Sequence, residues 1–151
     1  MDNDRIVSIL NDLIETCKDG EYGFDTCAQH AESTQTQQLF SSRAAQCREA
    51  AQELRSLVLQ HHGSPDDGGS ATGALHRGWV AMIGTVAGAS DKRMLEEAER
   101  GEDAALARYR KALKEDGLPP TVRSVIERQL AGVQQNHDQI KVLRDQARAT
   151  S

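Results

Sequence analysis

The sequence predicts an all-α protein, an antiparallel bundle of four long helices with a long crossover carrying a short extra helix. Apolar residues recur at three- and four-residue steps in four segments, residues 3–32, 34–60, 91–115 and 119–147. The connections near Ser33 and Leu118 are short, which forces the helices they join to be antiparallel neighbours. The connection 61–90 is long enough to cross the whole bundle. We therefore expect two helical hairpins in one domain spanning residues 1–151.

Composition narrows the classes of function. Apolar residues make up 38% and charged residues 27% of the chain, which suits a folded helical protein. The net charge of -5 and the 3% of aromatic residues argue against a nucleic-acid partner, because phosphates require a basic face and bases stack on aromatic rings. No apolar run is long enough to cross a bilayer, and the acidic N-terminus does not resemble a signal peptide. We expect no membrane partner and a cytoplasmic location.

Local signals predict where the helices begin and end. Asp2 or Asn3 can cap the first helix, and Thr34 with Gln37 suggests a capping box for the second. Gly63 is expected to stop the second helix. A glycine-rich loop follows, and then a short helix of about residues 73–87. The third and fourth helices show the same kinds of signal, which are Ser90 or Asp91 at the start of the third, Gly117 after its end, and Pro119 and Pro120 at the start of the fourth.

The first helix contains two glycines, Gly20 and Gly23, which are expected to weaken it by about 1 kcal/mol each relative to alanine. Glycines inside so long a helix suggest either a close approach of another backbone or a local bulge.

The three cysteines, Cys17, Cys27 and Cys47, lie on or beside the apolar stripes. An odd number cannot pair completely, so no disulfide framework is expected. They are interpreted as small buried apolar residues in a reducing compartment. A redox pair of Cys17 and Cys47 is the alternative, because a hairpin turning near Ser33 places them at similar heights.

Three polar residues interrupt the apolar stripes. Glu21 falls in the stripe of the first helix, Glu102 in that of the third, and His137 in that of the fourth. Each glutamate follows a glycine. Buried ionisable groups are unfavourable unless they are paired, hydrogen-bonded or bound to a cation. The pattern therefore predicts a polar cluster inside the bundle.

Five segments carry a family resemblance: LNDLIETCKDGEYGF, GALHRGW, LEEAERGEDAAL, LPPTVRSVIERQ and NHDQIKVLRD. Together they resemble an uncharacterised bacterial family, a domain of unknown function classed among the ferritin-like four-helix bundles. The resemblance implies a fold and a superfamily but no established activity. The wider ferritin-like group includes di-iron oxidases, iron stores and DNA-protecting mini-ferritins.

A complete di-iron site takes one Glu from each of two helices and a Glu-x-x-His from each of the other two. This sequence has no Glu-x-x-His. Glu21 and Glu102 match the single-Glu positions, the second helix offers Glu53 or, alternatively, Glu49, and the fourth offers His137. At most an incomplete site for iron or another divalent ion is expected from these residues.

Three functional hypotheses follow. In the leading one, the protein is a non-enzymatic bundle whose polar core replaces the di-iron site, with Arg43, Arg48 or Arg108 able to neutralise the acids. In the second, it binds iron or another divalent metal, with possible oxidase or storage activity. In the third, it is a stress-associated protein that assembles with copies of itself, so a homo-oligomer is expected. No particular protein partner is indicated.

Overall fold

The computed structural model describes residues 1–66 and 90–150, which form four helices. These are α1 (Asn3–His30), α2 (Thr34–Gln60), α3 (Asp91–Leu113) and α4 (Pro120–Ala149). Their ends differ from the expected ones by two residues at most, and the short helix expected at 73–87 lies outside the described residues. Within the described ranges there is no β-strand. No helix found there combines the length and apolarity that crossing a membrane requires.

The helices pair as two antiparallel hairpins. In the first hairpin, Asn3 at the start of α1 contacts His61 after the end of α2. In the second, Arg148 near the end of α4 pairs with Glu96 near the start of α3. Across the hairpins, α1 packs against α3 and α2 against α4, and the α2–α4 contact is the sparsest of these. The predicted all-α four-helix bundle is confirmed.

Side-chain caps begin the first three helices. Asp2 Oδ1 accepts a hydrogen bond from the Arg5 backbone N–H at 2.8 Å, and Ser90 caps α3 in the same way. The capping box expected at Thr34 is wrong, since Ser33 is the N-cap of α2. The side chain of Gln37 donates to the Ala31 carbonyl instead, at 2.7 Å.

The end of α2 is a Schellman motif, in which one residue adopts a left-handed conformation. The Gly63 N–H donates to the Val58 carbonyl at 3.0 Å and the His62 N–H to the Leu59 carbonyl at 3.1 Å. The left-handed residue is His62, with φ of 62°, not the glycine expected there. Gly63 is required for space, because a Cβ on it would lie 2.4 Å from Val7 Cγ2.

One carboxylate joins the two hairpins at the opposite end of the bundle. Asp91, the first residue of α3, accepts hydrogen bonds from the backbone N–H groups of Glu32 and Ser33, each at 2.9 Å. These two residues form the turn between α1 and α2. The start of α3 is thereby fixed against that turn.

Apolar side chains fill the bundle in two clusters. One cluster lies around the start of α1 and the end of α2, and includes Leu10, Leu13, Leu54, Val122 and Ile126. The other lies around the α1–α2 turn and includes Phe24, Phe40, Met94, Leu95 and Ile140. On α3 and α4, Glu102 and Asn136 fall between the two clusters. The core is therefore divided by a polar layer.

Gly20 of α1 lies in close contact with Cys47 of α2. A Cβ built on Gly20 would lie 2.9 Å from Cys47 Sγ, closer than real contacts allow. The helix continues through this position. The crowding atom belongs to the Cys47 side chain and not to a backbone, so Gly20 leaves room for that thiol, and the expected close approach of another backbone stays a prediction.

We expect Gly20→Ala to lower the free energy of unfolding by roughly 1 kcal/mol, because overpacking of about 1–3 kcal/mol outweighs the gain of about 1 kcal/mol in helix propensity. Urea denaturation followed by circular dichroism measures this change. Gly132→Ala on α4 is the matched control, since nothing lies within 4 Å of a Cβ built there. That substitution should stabilise the protein by about 0.5–1 kcal/mol. Equal effects of the two substitutions would contradict the close contact of Gly20 with Cys47.

Candidate functional site

The central polar layer is built around Glu102 on α3, whose side chain is 3% exposed. Its Oε2 lies 3.1 Å from Arg43 Nε, and its Oε1 lies 3.5 Å from Arg43 Nη2. Asn136 on α4 donates to the same Oε2 from its amide nitrogen at 2.9 Å. Three helices thus converge on one carboxylate, and both of its oxygens accept hydrogen bonds.

Arg43 on α2 contacts an aromatic ring as well as the Glu102 carboxylate. Its guanidinium carbon lies 5.9 Å from the centroid of the Phe24 ring, a cation–π arrangement. The Phe24 ring in turn stacks on Phe40, with centroids 6.1 Å apart. The charged head of Arg43 therefore lies between an aromatic ring and a carboxylate, and its side chain is only 8% exposed.

Burial and hydrogen bonding act on Glu102 in opposite directions. Loss of hydration raises the pKa of Glu102, because the ionised form loses most when water is removed. The Arg43 guanidinium and the Asn136 amide lower that pKa, so they favour the carboxylate. The ionised form of Glu102 consequently depends on Arg43.

A second hydrogen-bond network crosses the bundle next to this layer. The Tyr109 hydroxyl donates to Gln129 Oε1 at 2.7 Å, and Cys17 Sγ lies 3.2 Å from the Tyr109 oxygen. The Gln129 amide nitrogen donates to Glu53 Oε1 at 2.8 Å. Glu53 also pairs with Arg128. The network leads from a buried thiol to an ion pair at the surface.

A small cavity of about 20 Å³ lies where the two networks meet. It is large enough for a single water molecule, which needs about 10–15 Å³ by the same measure. It is lined by Thr16, Cys17, Gly20, Arg43, Cys47, Gly101, Glu102, Ala105 and Tyr109. The lining combines a guanidinium, a carboxylate and two thiols, but it has no room for a larger ligand.

All three cysteines are free and buried. Burial raises the pKa of Cys17 to about 11 and that of Cys27 to about 12, and it raises the pKa of Cys47 further. A thiol attacks or binds metal as its thiolate, so these protonated thiols are weakly reactive at neutral pH. This favours the interpretation of the cysteines as buried apolar residues. Pairing of Cys17 with Cys47 stays the untested alternative.

The expectation that Glu21 points into the core is wrong. Its side chain is 32% exposed and accepts a hydrogen bond from Arg48 Nε at 2.9 Å. Gly20 takes the inward position because Cys47 leaves no space for a side chain there. Glu21 is therefore turned to the edge of the bundle, where Arg48, one of the three arginines considered for this role, neutralises it.

His137 is also displaced from the expected position. Asn136 faces Glu102, and His137 lies toward the edge between α3 and α4 with 16% of its side chain exposed. Its Nε2 is 2.8 Å from Asp103 Oδ1 and 3.9 Å from Glu99 Oε2. The imidazole thus has carboxylate neighbours, but they are not the predicted ones.

On α2, neither proposed ligand is in the central layer. Glu53 is half-buried and bound to Arg128 and Gln129, and Glu49 is exposed. Over residues 1–66 and 90–150, no group of three or more His, Cys, Asp or Glu side chains is placed to hold a metal ion. Of the predicted set Glu21, Glu53, Glu102 and His137, Glu102 alone lies in the central polar layer. The metal site itself stays a prediction.

The sequence carried a signal for the two side chains that do meet Glu102. Arg43 lies three residues after Phe40 and four before Cys47, so it falls in the apolar stripe of α2. Asn136 stands in the same relation to Val133 and Ile140 on α4. The sequence analysis predicts Arg43 as one of three neutralising cations, whereas on α4 it favours the neighbouring His137 over Asn136.

Two antiparallel hairpins joined by a long connection, with a polar layer at mid-height, define a ferritin-like four-helix bundle. A solved structure with this fold supports that class: the dodecameric thioferritin, a bacterioferritin-related protein from Bacteroides fragilis, superimposes with a TM-score of 0.78. It is 18% identical, and the match covers 99% of this chain and 90% of that one. The chain belongs to the family described as domain of unknown function DUF2383, which matches residues 5–115. No curated protein matches the sequence.

Proposed function

We propose that this protein is a non-enzymatic ferritin-like bundle in which an internal ion pair takes the place of bound metal, and that it acts through association with copies of itself. The observation that carries the first part is the Arg43–Glu102 pair, with Nε and Oε2 3.1 Å apart in the core. A guanidinium beside the buried carboxylate supplies the positive charge that a metal ion would otherwise supply.

The ion pair also opposes metal binding at this position. A divalent ion approaching Glu102 would meet the fixed charge of Arg43 at short range and at low effective dielectric, where like charges repel strongly. Displacing Arg43 would break its contacts with Glu102 and Phe24 and leave a charge to be rehydrated. The cavity beside the pair is too small for a hydrated metal ion.

Self-association is supported by the fold neighbour, which is dodecameric. A cytoplasmic location is supported by the three free cysteines, because thiols stay reduced in that compartment. Both are proposals for this chain.

Metal loading tests the proposal. We expect the full chain, purified without a metal-binding tag and mixed with ferrous iron, to retain substoichiometric metal by elemental analysis. Its melting temperature should not change, since a ligand that binds only the folded state would raise it. The proposal would be overturned if the wild type bound stoichiometric iron and both the Glu102→Ala and His137→Ala variants failed to bind it. His137 lies at the edge of the bundle, so we expect His137→Ala to fold. This variant keeps the test informative even if Glu102→Ala does not fold.

The alternative function is a metal-binding protein for iron or another divalent ion, with oxidase or storage activity. Its ligands would be Glu102 and His137, together with Glu21 and with Glu53 or Glu49. The observation in its favour is the His137 imidazole, whose Nε2 lies 2.8 Å from Asp103 Oδ1, since nitrogen and oxygen donors together suit such ions. Iron uptake with loss in both variants of the same experiment would support this alternative.

A further inference from the structure

A groove of about 610 Å³ runs along the sparse contact between α2 and α4. It is lined by Gln35, Gln38, Leu39 and Ser42 of α2 and by Gln135, Asp138, Gln139, Val142, Leu143 and Gln146 of α4. Leu39 and Leu143 belong to its apolar part and pack against the apolar cluster near the α1–α2 turn. Val142 is 54% exposed. The groove therefore offers apolar surface surrounded by carboxamides.

The groove is poor in charge. Among the lining residues in the described part of the chain, Asp138 alone is charged, although 27% of the whole sequence is charged. Depletion of charge at the centre of a surface patch is a compositional feature of protein interfaces. The five glutamines of the lining provide both donors and acceptors.

These properties fit a second copy of the same chain. In a two-fold symmetric dimer the same patch of both subunits is in contact, so residues near the axis must be able to pack or hydrogen-bond with the same residue types of the other subunit. A carboxamide can donate to and accept from another carboxamide, whereas a patch of one charge repels its copy. Because the chain carries a net charge of -5, a surface with a single carboxylate is where two copies can approach with little repulsion.

The connection that follows α2 begins against α1, whereas the groove lies between α2 and α4. Asn11 of α1 donates to the Ser64 carbonyl at 3.1 Å, and Lys18 of α1 donates to the Asp66 carbonyl at 3.0 Å. Ser64 and Asp66 therefore lie against α1, and neither lines the groove.

We propose that the α2–α4 groove is a symmetric interface between two copies of this protein, with Val142 near the two-fold axis. The inference rests on the self-association in the proposed function and assigns a surface to it. The carboxamides would pair across the axis around the apolar contact of Leu39, Val142 and Leu143.

Sedimentation velocity of the full chain over a range of concentrations tests this interface. Val142→Glu brings two like charges together at the axis, so we expect the dissociation constant of the dimer to rise roughly 100-fold. Leu59→Glu is the matched control, because Leu59 is 62% exposed and lies outside the groove lining. It should associate as the wild type does. Circular dichroism melting verifies that both variants fold.

The outcomes separate this inference from the proposed function. A folded Val142→Glu variant that associates like the wild type overturns the interface and leaves self-association in place. A wild-type chain that stays monomeric at every concentration overturns self-association itself, and the interface with it. Selective loss of association in Val142→Glu supports both.

Cross-linking gives an independent readout. The three native cysteines are buried, so a cysteine introduced at an exposed position is the reactive one. Gln139→Cys should form a cross-linked dimer with a short bis-maleimide, whereas Gln52→Cys, exposed on α2 but outside the groove, should not. Equal cross-linking of the two variants would contradict the interface.

Discussion

Replacing either member of the buried ion pair by leucine is expected to lower the free energy of unfolding by about 3–5 kcal/mol. Arg43→Leu leaves the Glu102 carboxylate in the core without its cation, and Glu102→Leu leaves the guanidinium of Arg43 without its anion. Each buried charge then lacks the partner that offsets its loss of hydration. Urea denaturation of the folded variants, followed by circular dichroism, measures the change.

The double variant Arg43→Leu/Glu102→Leu measures the interaction free energy between the two side chains, as distinct from the effect of each side chain alone. We expect it to be within about 1–2 kcal/mol of the wild type, because apolar side chains of similar volume can replace a buried ion pair without penalty. A double variant as unstable as the sum of the single ones would show that the two side chains act independently. That result would contradict the ion pair as the organising contact of the core.

The surface pair Arg48–Glu21 is the matched control, since it has the same residue types and also starts from an arginine of α2, which here pairs with α1. Arg48 is 53% exposed and Glu21 32% exposed. Glu21→Leu should change the free energy of unfolding by about 0–1 kcal/mol, because exposed ion pairs contribute little. A large loss there would indicate that Glu21 has a role in the core after all.

Alkaline pH is expected to destabilise the protein steeply. The folded pKa of Cys17 is about 11 and that of Cys27 about 12, both above the unfolded value of 9.0, and the pKa of Cys47 is raised further. A raised folded pKa gives stability that is complete below pH 9 and lost as pH rises toward the folded pKa. By pH 10 each thiol should have lowered the free energy of unfolding by about 1.4 kcal/mol, or about 4 kcal/mol for the three together.

Denaturation at pH 8, 9 and 10 measures this loss, and the variant with all three cysteines replaced by alanine is the control. Its absolute stability should be lower because of the small cavities left, but the decline between pH 8 and 10 should largely disappear. Tyr109, whose pKa burial raises well above 10, contributes little at pH 10 and more at higher pH. An unchanged decline in the cysteine-free variant would show that other groups cause it.

The helices and their order could be predicted because periodicity and capping are local properties of the sequence. Repeating apolar steps placed the helix ends within two residues of those observed. The errors at the ends have local reasons. Ser33 caps α2 one residue before Thr34, and His62 adopts the left-handed conformation expected of Gly63.

The candidate site could be predicted only in part, because its residues face one another across helices. Glu102 was found, since burial of a carboxylate follows from the phase of a single helix. Periodicity predicts Glu21 and His137 at the inward positions, whereas the structure has the neighbouring Gly20 and Asn136 there. A stripe of apolar residues is wide enough to admit two adjacent positions, so periodicity alone cannot choose between them.

The sequence by itself determined an all-α chain of four amphipathic helices, with a polar group in the middle of the third. Only the tertiary structure decided that this group meets an arginine from α2 and an asparagine from α4. The physical reason is that helix phase has an uncertainty of about one residue, or about 100° of rotation. On α1 the contact of Gly20 with Cys47 fixes that rotation, so that Gly20 and not Glu21 faces the centre, and on α4 the Asn136–Glu102 hydrogen bond accompanies the corresponding choice.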